Sequence, residues 1–285
     1  MTRPPERIAL FTHRSDGEAG AALARIVEVA AAAGRELCAP AQEIAKHGLS
    51  GAVTPLGEDP AEGVALAMVL GGDGTILQAL RLYAGTEVPV FAFNFGRIGF
   101  LATVERSELD EGIRRGFAGE FDLLRMPNLV CDLNGAHAVA VNDVSIHRRA
   151  DARVAELAYS VEGEQLAKVR CDGLVAATPA GSTGYNLANG GPVLAWGVSG
   201  FVVSFISPHS LTARPLVVAT TSVLSVQSLS RSEAVDVAAD GRIVGELAPE
   251  DSLGVRFEHD RVVLAQLPGS SFYRRFGEKF GRLAN

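Results

Sequence analysis

The chain has 285 residues, 47% hydrophobic and 21% charged, a balance that sets it among globular proteins and apart from disordered or collagen-like chains. That length holds one large domain or two modest ones, each with its own core. Its 33 acidic residues against 26 basic ones leave a net charge of −7, which argues against a nucleic-acid partner or an anionic membrane surface.

Residues 1–125 alternate apolar runs with helical patterns, as a parallel α/β sheet requires. A short strand is expected at 8–12. Ser15 and Glu18 then form a capping-box pair that opens a helix running to Gly34. Residues 64–70 read as a buried strand leading straight into Gly71-Gly72-Asp73-Gly74-Thr75, and the following ILQALRLY repeats apolar residues at helical spacing. A third strand at 88–93 ends in the turn NFGRIGF, and Ser107 is expected to cap the helix ELDEGIRRGFAG. From Met126 the period shortens. LVCDLNG, HAVAVNDVSIHR, RVAELAYSVEGEQLAKV, TSVLSVQSL, EAVDVAADGRIVGEL and GVRFEHDRVVLAQL read as short alternating strands, so residues 126–265 are expected to form a β-rich domain. The amphipathic SFYRRFGEKFGRL, within 266–285, is expected to be a short helix packing back on the first domain. Residues 174–213 contain no Asp, Glu, Lys or Arg, but their six glycines and three prolines rule against an unbroken spanning helix. They read as buried, glycine-rich site architecture.

Several chemistries are excluded by spacing. Lys46, Lys168 and Lys279 are the only lysines and none stands in a Gly-Lys-Ser/Thr context, so a Walker-type site is ruled out. Gly-x-Gly-x-x-Gly and Gly-x-Ser-x-Gly are absent, against a Rossmann dehydrogenase and a serine hydrolase. His-Glu-x-x-His is absent, and His147 and His209 have no partner at metal spacing, so no metal site built from side chains is expected. Cys38, Cys131 and Cys171 are too widely spaced for a disulfide framework, and the N-terminal apolar stretch is too short for a signal peptide; both point to a cytoplasmic setting.

The strongest local signal is the Gly71–Thr75 turn between strand and helix. Glycines let backbone amides approach phosphate oxygens, and a helix N-terminus favours anions. Asp73 in its middle suits a general base for a hydroxyl or a magnesium ligand, or, more plainly, a helix cap. Asn142-Asp143 offers the mixed donors and acceptors that suit a vicinal diol; a hairpin turn between HAVAV and VSIHR reads equally well. Tyr185 offers a flat surface for a purine or fills the core beneath the loop. Asp240-Gly241 reads as a hairpin turn and Trp196 as a core residue.

LGGDGTILQAL, NFGRIGFL, VNDVSIHR, DGLVAATPAGSTGYNLANGGPVL and PHSLTARPLVV, in order along residues 67–218, resemble the NAD kinase family. GGDGT alone is shared with diacylglycerol-type lipid kinases and phosphofructokinases; the long glycine-rich segment is specific to NAD kinases. The resemblance implies an α/β N-terminal domain, a β-rich C-terminal domain and a dinucleotide site in the cleft between them. It implies Asp73 as catalytic base with Gly74 beside it, and Asn142 and Asp143 on the ribose hydroxyls of NAD. Arg153, Arg170 and Asp172 fall at further dinucleotide contacts, and Thr183, Gly184, Tyr185, Asn186, Leu187 and Ala188 surround the adenine. Two departures are small-for-small, Ala180 and Gly184 where the family has Thr and Ala. Arg242 stands at a ligand position where Asp-Gly-Gln is familiar. The implied activity is phosphorylation of NAD at its adenosine-ribose 2′-hydroxyl, with ATP or polyphosphate as donor, Mg²⁺ carried by the triphosphate, and a homodimer or homotetramer. Two other classes compete: a lipid kinase, expected to carry an acidic residue soon after GGDGT, where Gln78 follows, and a membrane-facing basic or apolar patch; and a non-catalytic dinucleotide-binding regulator.

Overall fold

The computed structural model describes residues 3–13, 19–96, 99–133, 135–150, 153–230 and 233–281. The chain divides into two compact units, Met1–Arg125 with Val262–Asn285, and Met126–Arg261. The first begins with β1 (Arg7–Thr12), α1 (Gly20–Ala33), β2 (Glu36–Ala39), α2 (Ala41–His47), β3 (Thr54–Pro55) and β4 (Leu66–Gly71). It continues with α3 (Asp73–Leu82), β5 (Val90–Asn94), β6 (Val104–Glu105) and α4 (Leu109–Ala118). The strands pair in parallel in the order β5-β4-β1-β2-β3, with β6 beside β5. β4 and β5 are buried at every position, which is why they read as unbroken apolar runs. From β1 the chain moves outward to β3 and then crosses to β4 on the other side. The direction of winding therefore switches between β1 and β4, where open α/β sheets bind ligands at the carboxyl ends of their strands. Gly71 is that end of β4.

α1 buries Ala22, Leu23, Ile26 and Ala30 into a core shared with Ile8, Leu10, Met68, Leu70, Phe91 and Phe93. It stops at Gly34, whose φ of 62° takes the left-handed conformation a helix end favours. The expected Ser15–Glu18 capping pair lies outside the described residues. Ser107 does not cap a helix. Arg106–Glu108 form one 3-10 turn and α4 starts at Leu109 behind Glu108, with no side-chain cap. Asp110 and Glu111 in its first turn supply the negative charge the helix start favours.

The second unit is built from antiparallel strands. β7 (Asp122–Leu133) and β8 (Ala136–Ala140) form a hairpin, followed by β9 (Asp143–Arg148), β10 (Ala155–Val161), β11 (Glu164–Cys171) and β12 (Gly173–Ala177). After a short helix, α5 (Tyr185–Ala188), come β13 (Phe201–Ile206), β14 (Leu216–Val218), β15 (Leu224–Ser228), β16 (Val235–Ala239), β17 (Arg242–Leu247) and β18 (Ser252–Gln266). Six of them pair as β14-β13-β12-β9-β16-β17; a second run pairs as β11-β10-β15-β18. Residues of both runs, among them Leu157, Val226 and Val255 with Ile146, Leu174 and Val203, share one buried cluster. β12 and β13 are the strands hidden in the charge-free stretch. β18 carries the chain back into the first unit, where Leu264 pairs in parallel with Val90. There α6 (Phe272–Phe280) starts at Ser271, whose hydroxyl accepts the Arg274 amide. Among the described residues no helix is long and apolar enough to cross a membrane.

Candidate active site

The Gly71–Thr75 turn is built by close approach. A Cβ on Gly71 would sit 2.6 Å from the Thr75 hydroxyl, and one on Gly96 would sit 2.9 Å from the Gly72 Cα. Two backbone segments thus touch at Gly72 and Gly96, and glycine is the residue that allows it. Gly72 is the N-cap of α3 and Asp73 is its first residue, so Asp73 is not the cap. The half-buried Asp73 carboxylate accepts the Phe100 amide at 2.9 Å and the Leu101 amide at 3.0 Å, one on each oxygen. Gly74 beside it is exposed, with open space where a side chain would project. The turn therefore presents an oriented carboxylate next to accessible backbone at a helix start, which suits proton abstraction close to an anion.

In the second unit, Val141 and Asn142 link β8 to β9. The two strands do not form a hairpin, because β8 pairs with β7 whereas β9 pairs with β12 and β16. What shapes the link is Asp240. Its carboxylate accepts the amides of Val141 (3.0 Å), Asn142 (2.7 Å) and Asp143 (3.1 Å). Asp240 and Gly241 have φ of 46° and 72°, the tight turn of the β16–β17 hairpin. Thr178 closes the other side, donating its hydroxyl to the Val141 carbonyl and its amide to that of Asn142. Asp143 is only 6% exposed, and burial, with the Asp240 charge second, pushes its carboxyl up to about 7. The Asn142 side-chain carbonyl oxygen is buried with no hydrogen-bond partner among the described residues.

The glycine-rich loop folds against that link. A Cβ on Gly181 would lie 2.0 Å from the Asn142 backbone carbonyl oxygen, so only glycine fits. Asn186 is wholly buried; its amide group donates to the carbonyls of Ser182 and Pro192, so its side chain braces the loop from inside. Thr183 donates to the Ala180 carbonyl, while Gly184 and Ala188 are exposed and Leu187 is half-buried. Tyr185 is 36% exposed rather than core, and its ring stacks on His147 at 5.5 Å between centroids and 13° between planes. Burial lowers the His147 pKa, so this support is neutral near pH 7.

The remaining expected residues fall into three places. Arg153 and Arg170, both exposed, line one concave surface with Glu156 and Glu233. Asp172 is held by Arg148 at 2.5 Å, an ion pair that keeps its carboxyl below the usual range. Arg242 is exposed at the start of β17. Among the described residues no three His, Cys, Asp or Glu side chains gather as a metal cluster. Sequence reasoning missed the work of Asp240: Asp-Gly announces a turn, but nothing local tells that its carboxylate reaches amides 97 to 99 residues earlier.

Residues 52–121 match the ATP-NAD kinase N-terminal domain and residues 141–267 the ATP-NAD kinase C-terminal domain. A curated NAD kinase of Gemmatimonas aurantiaca is 34% identical over 222 residues, 75% of this chain and 76% of its own length. One of Leifsonia xyli is 35% identical over 252 residues, covering 86% and 81%. In fold, the chain is similar to the yeast NADH kinase solved with NADH, with a TM-score of 0.87 at 22% identity over 99% of this chain and 89% of that one. An Archaeoglobus fulgidus NAD kinase solved with ATP gives 0.75 at 23% identity, covering 98% of each.

Proposed function

This chain belongs to the ATP-NAD kinase family, and from that membership we infer that it transfers the γ-phosphoryl group of ATP to the adenosine-ribose 2′-hydroxyl of NAD, producing NADP. The observation that carries the reading is the Asp73 turn, where two backbone amides orient a half-buried carboxylate beside the open backbone of Gly74.

In the proposed step the 2′-oxygen attacks the γ-phosphorus in line. The new O–P bond forms as the bond to the β–γ bridging oxygen breaks, ADP leaves, and Asp73 takes the hydroxyl proton. Gly71, Gly72, Gly74 and Thr75 line the phosphate path. Asn142 and Asp143 hold the ribose hydroxyls; a carboxyl that titrates near pH 7 both donates and accepts there. Tyr185, backed by His147, stacks on the adenine, with Thr183, Gly184, Leu187 and Ala188 around it and Asn186 keeping the loop in shape. Arg153, Arg170, Asp172 and Arg242 are further dinucleotide contacts. Mg²⁺ would be carried by the triphosphate, whose hard oxygens suit this cation, and would offset charge on the transferred phosphoryl group. Three buried free cysteines support a reducing, cytoplasmic setting, and a homodimer or homotetramer is the proposed assembly.

The test is direct. Purified protein with NAD, ATP and Mg²⁺ is expected to form NADP, with inorganic polyphosphate as a parallel donor. Tight NAD binding without NADP formation from either donor would replace the kinase reading by that of a binding regulator.

A further inference from the structure

We propose that the C-terminal helix α6 is a positioning element for Asp73, and that Arg275 transmits its grip through a single peptide group. The proposal rests on the reading of Asp73 as the base. Arg275 is a buried cation, 9% exposed. Its Nη1 donates to the carbonyl of Phe100 at 2.7 Å and to that of Ala102 at 2.5 Å. The Phe100 carbonyl and the Leu101 amide belong to the same peptide unit, which is planar and rigid. The Leu101 amide is in turn the donor to Asp73 Oδ1, and the Phe100 amide the donor to Oδ2. A guanidinium, one peptide and a carboxylate thus form a chain of hydrogen bonds with opposite charges at its ends. In such a chain each bond polarises the next, so a donor on the Phe100 carbonyl strengthens the Leu101 amide as a donor. Burial pushes the Arg275 pKa down, and the charges of Asp73, Glu105 and Glu278 oppose that.

A second arm of the same helix reaches the other side of the turn. Lys279 pairs with Glu105 at 2.9 Å, and Glu105 accepts the Asn94 side-chain amide at 2.8 Å. Asn94 accepts the Gly96 amide at 3.0 Å, and Gly96 is the residue packed on Gly72, immediately before Asp73. The two arms end on different neighbours of Asp73: on the amides its carboxylate accepts, and on the backbone residue that precedes it. Beside these polar bonds, Phe272 and Phe280 of α6 set their rings against Phe100, at 5.9 and 6.1 Å between centroids, so the helix is tied to the segment whose amides Asp73 accepts.

The chain of bonds makes Arg275 a positioning residue, and the test must separate that from simple support of the fold. Arg275→Ala is expected to lower kcat about 100-fold, the cost of misplacing a catalytic group by ~1 Å. KM for NAD should stay within about two-fold of the parent value, because the grip of Arg275 falls on the peptide that holds Asp73 and not on the ribose or adenine contacts. Free guanidinium at sub-denaturing concentration should restore part of kcat. Arg275→Lys, which keeps the charge but lacks the planar fork, should fall between the two; it also serves if the alanine variant does not fold. Lys279→Met should show a smaller loss of the same kind.

The decisive comparison is made in an Asp73→Asn background. If Arg275 acts through Asp73, adding Arg275→Ala or Arg275→Lys there should cost little further rate, since the carboxylate it orients is gone. A loss of equal size in both backgrounds, or a folded Arg275→Ala with parental kcat, would overturn the proposal while leaving Asp73 as the base. An Asp73→Asn enzyme as fast as the parent would remove the base reading itself, and the proposal with it.

Discussion

Asp73 in the first unit and Asp240 in the second are both aspartates in glycine turns, and both accept hydrogen bonds from consecutive backbone amides. They differ in what is left over. Asp73 takes one amide on each oxygen, so each keeps an acceptor site, and exposed Gly74 stands beside it. Asp240 takes three amides, two of them on one oxygen, and fixes the link that carries Asn142 and Asp143. One carboxylate keeps an acceptor site on each oxygen beside open backbone; the other has most of its acceptor capacity committed to amides. The residue type does not decide between reagent and girder. The number of bonds already made, and the space beside the group, do.

The largest expected effect tests the available carboxylate. Asp73→Asn keeps size but removes basicity, so kcat should fall by ~10²–10⁴. The new amide nitrogen also faces a backbone amide, which should cost about 1–3 kcal/mol of stability while the fold persists. Initial rates together with denaturant titration read both quantities; a small change in kcat would make Asp73 a girder like Asp240.

Asp240→Asn tests the committed one. It replaces a charged acceptor of three amides by a neutral one, with an expected loss of about 2–3 kcal/mol of stability and a rise of ~10-fold in KM for NAD. Because Asp240 has no chemical role here, kcat at saturation should drop far less than in Asp73→Asn. An unaltered KM would mean that the 141–143 link does not carry the ribose contacts.

The same link carries a pH signature. The folded Asp143 carboxyl is raised from 3.8 to about 7, by burial first and the Asp240 charge second. Between about pH 4 and pH 7 the folded chain therefore holds a proton that the unfolded chain has released. That contribution to stability is complete below about pH 4, declines as pH rises, and is gone above about pH 7. Denaturant midpoints at pH 5 and pH 8 should thus differ more for the parent than for Asp143→Asn, with the parent weaker at the higher pH. Equal differences in the two proteins would place Asp143 in a wetter environment than the one described.

Much of this architecture was legible in the sequence, and the gaps have physical causes. β1, α1, β4, α3 and β5 announce themselves because apolar strands alternate with amphipathic helices closed by turns. β12 and β13 do not: like β4 and β5 they are buried and lack polar alternation, but no long amphipathic helix flanks them to mark GLVAA and FVVSFI as strands. Ser107 had the chemistry of a cap, but a 3-10 turn occupies the place where its helix would begin. The Gly71–Thr75 turn was visible because its signal, three glycines around one aspartate between a strand and a helix, is local. The roles of Asp240 and Arg275 were not, since their hydrogen bonds span 97 to 99 and 173 to 175 residues. Asn142-Asp143 was ambiguous for a related reason: only pairing tells whether two neighbouring strands share a sheet.

The smallest effect concerns the adenine end. Tyr185 combines 36% exposure with a stack on His147, so one face of its ring is supported by protein and the ring is not packed in the core. That arrangement would suit a base platform, with the imidazole backing a phenol ring that stays outside the core. Stacking of this kind is worth about 1–3 kcal/mol per base, so Tyr185→Ala should weaken NAD binding by one to two decades. A half-open ring contributes little core, so the stability lost should be far less than the ~3–5 kcal/mol that follows removal of a buried aromatic. Tyr185→Phe keeps the stack and loses only the hydroxyl, and should bind NAD nearly as the parent does. His147→Ala removes the support and should cost less than Tyr185→Ala, because the platform itself survives. Calorimetric titration with NAD should therefore rank Tyr185→Ala weakest, His147→Ala intermediate and Tyr185→Phe near parental. A stable Tyr185→Ala protein that binds NAD at parental strength would move the adenine away from this loop and shift the search for the NAD contacts of the second unit to the 141–143 link.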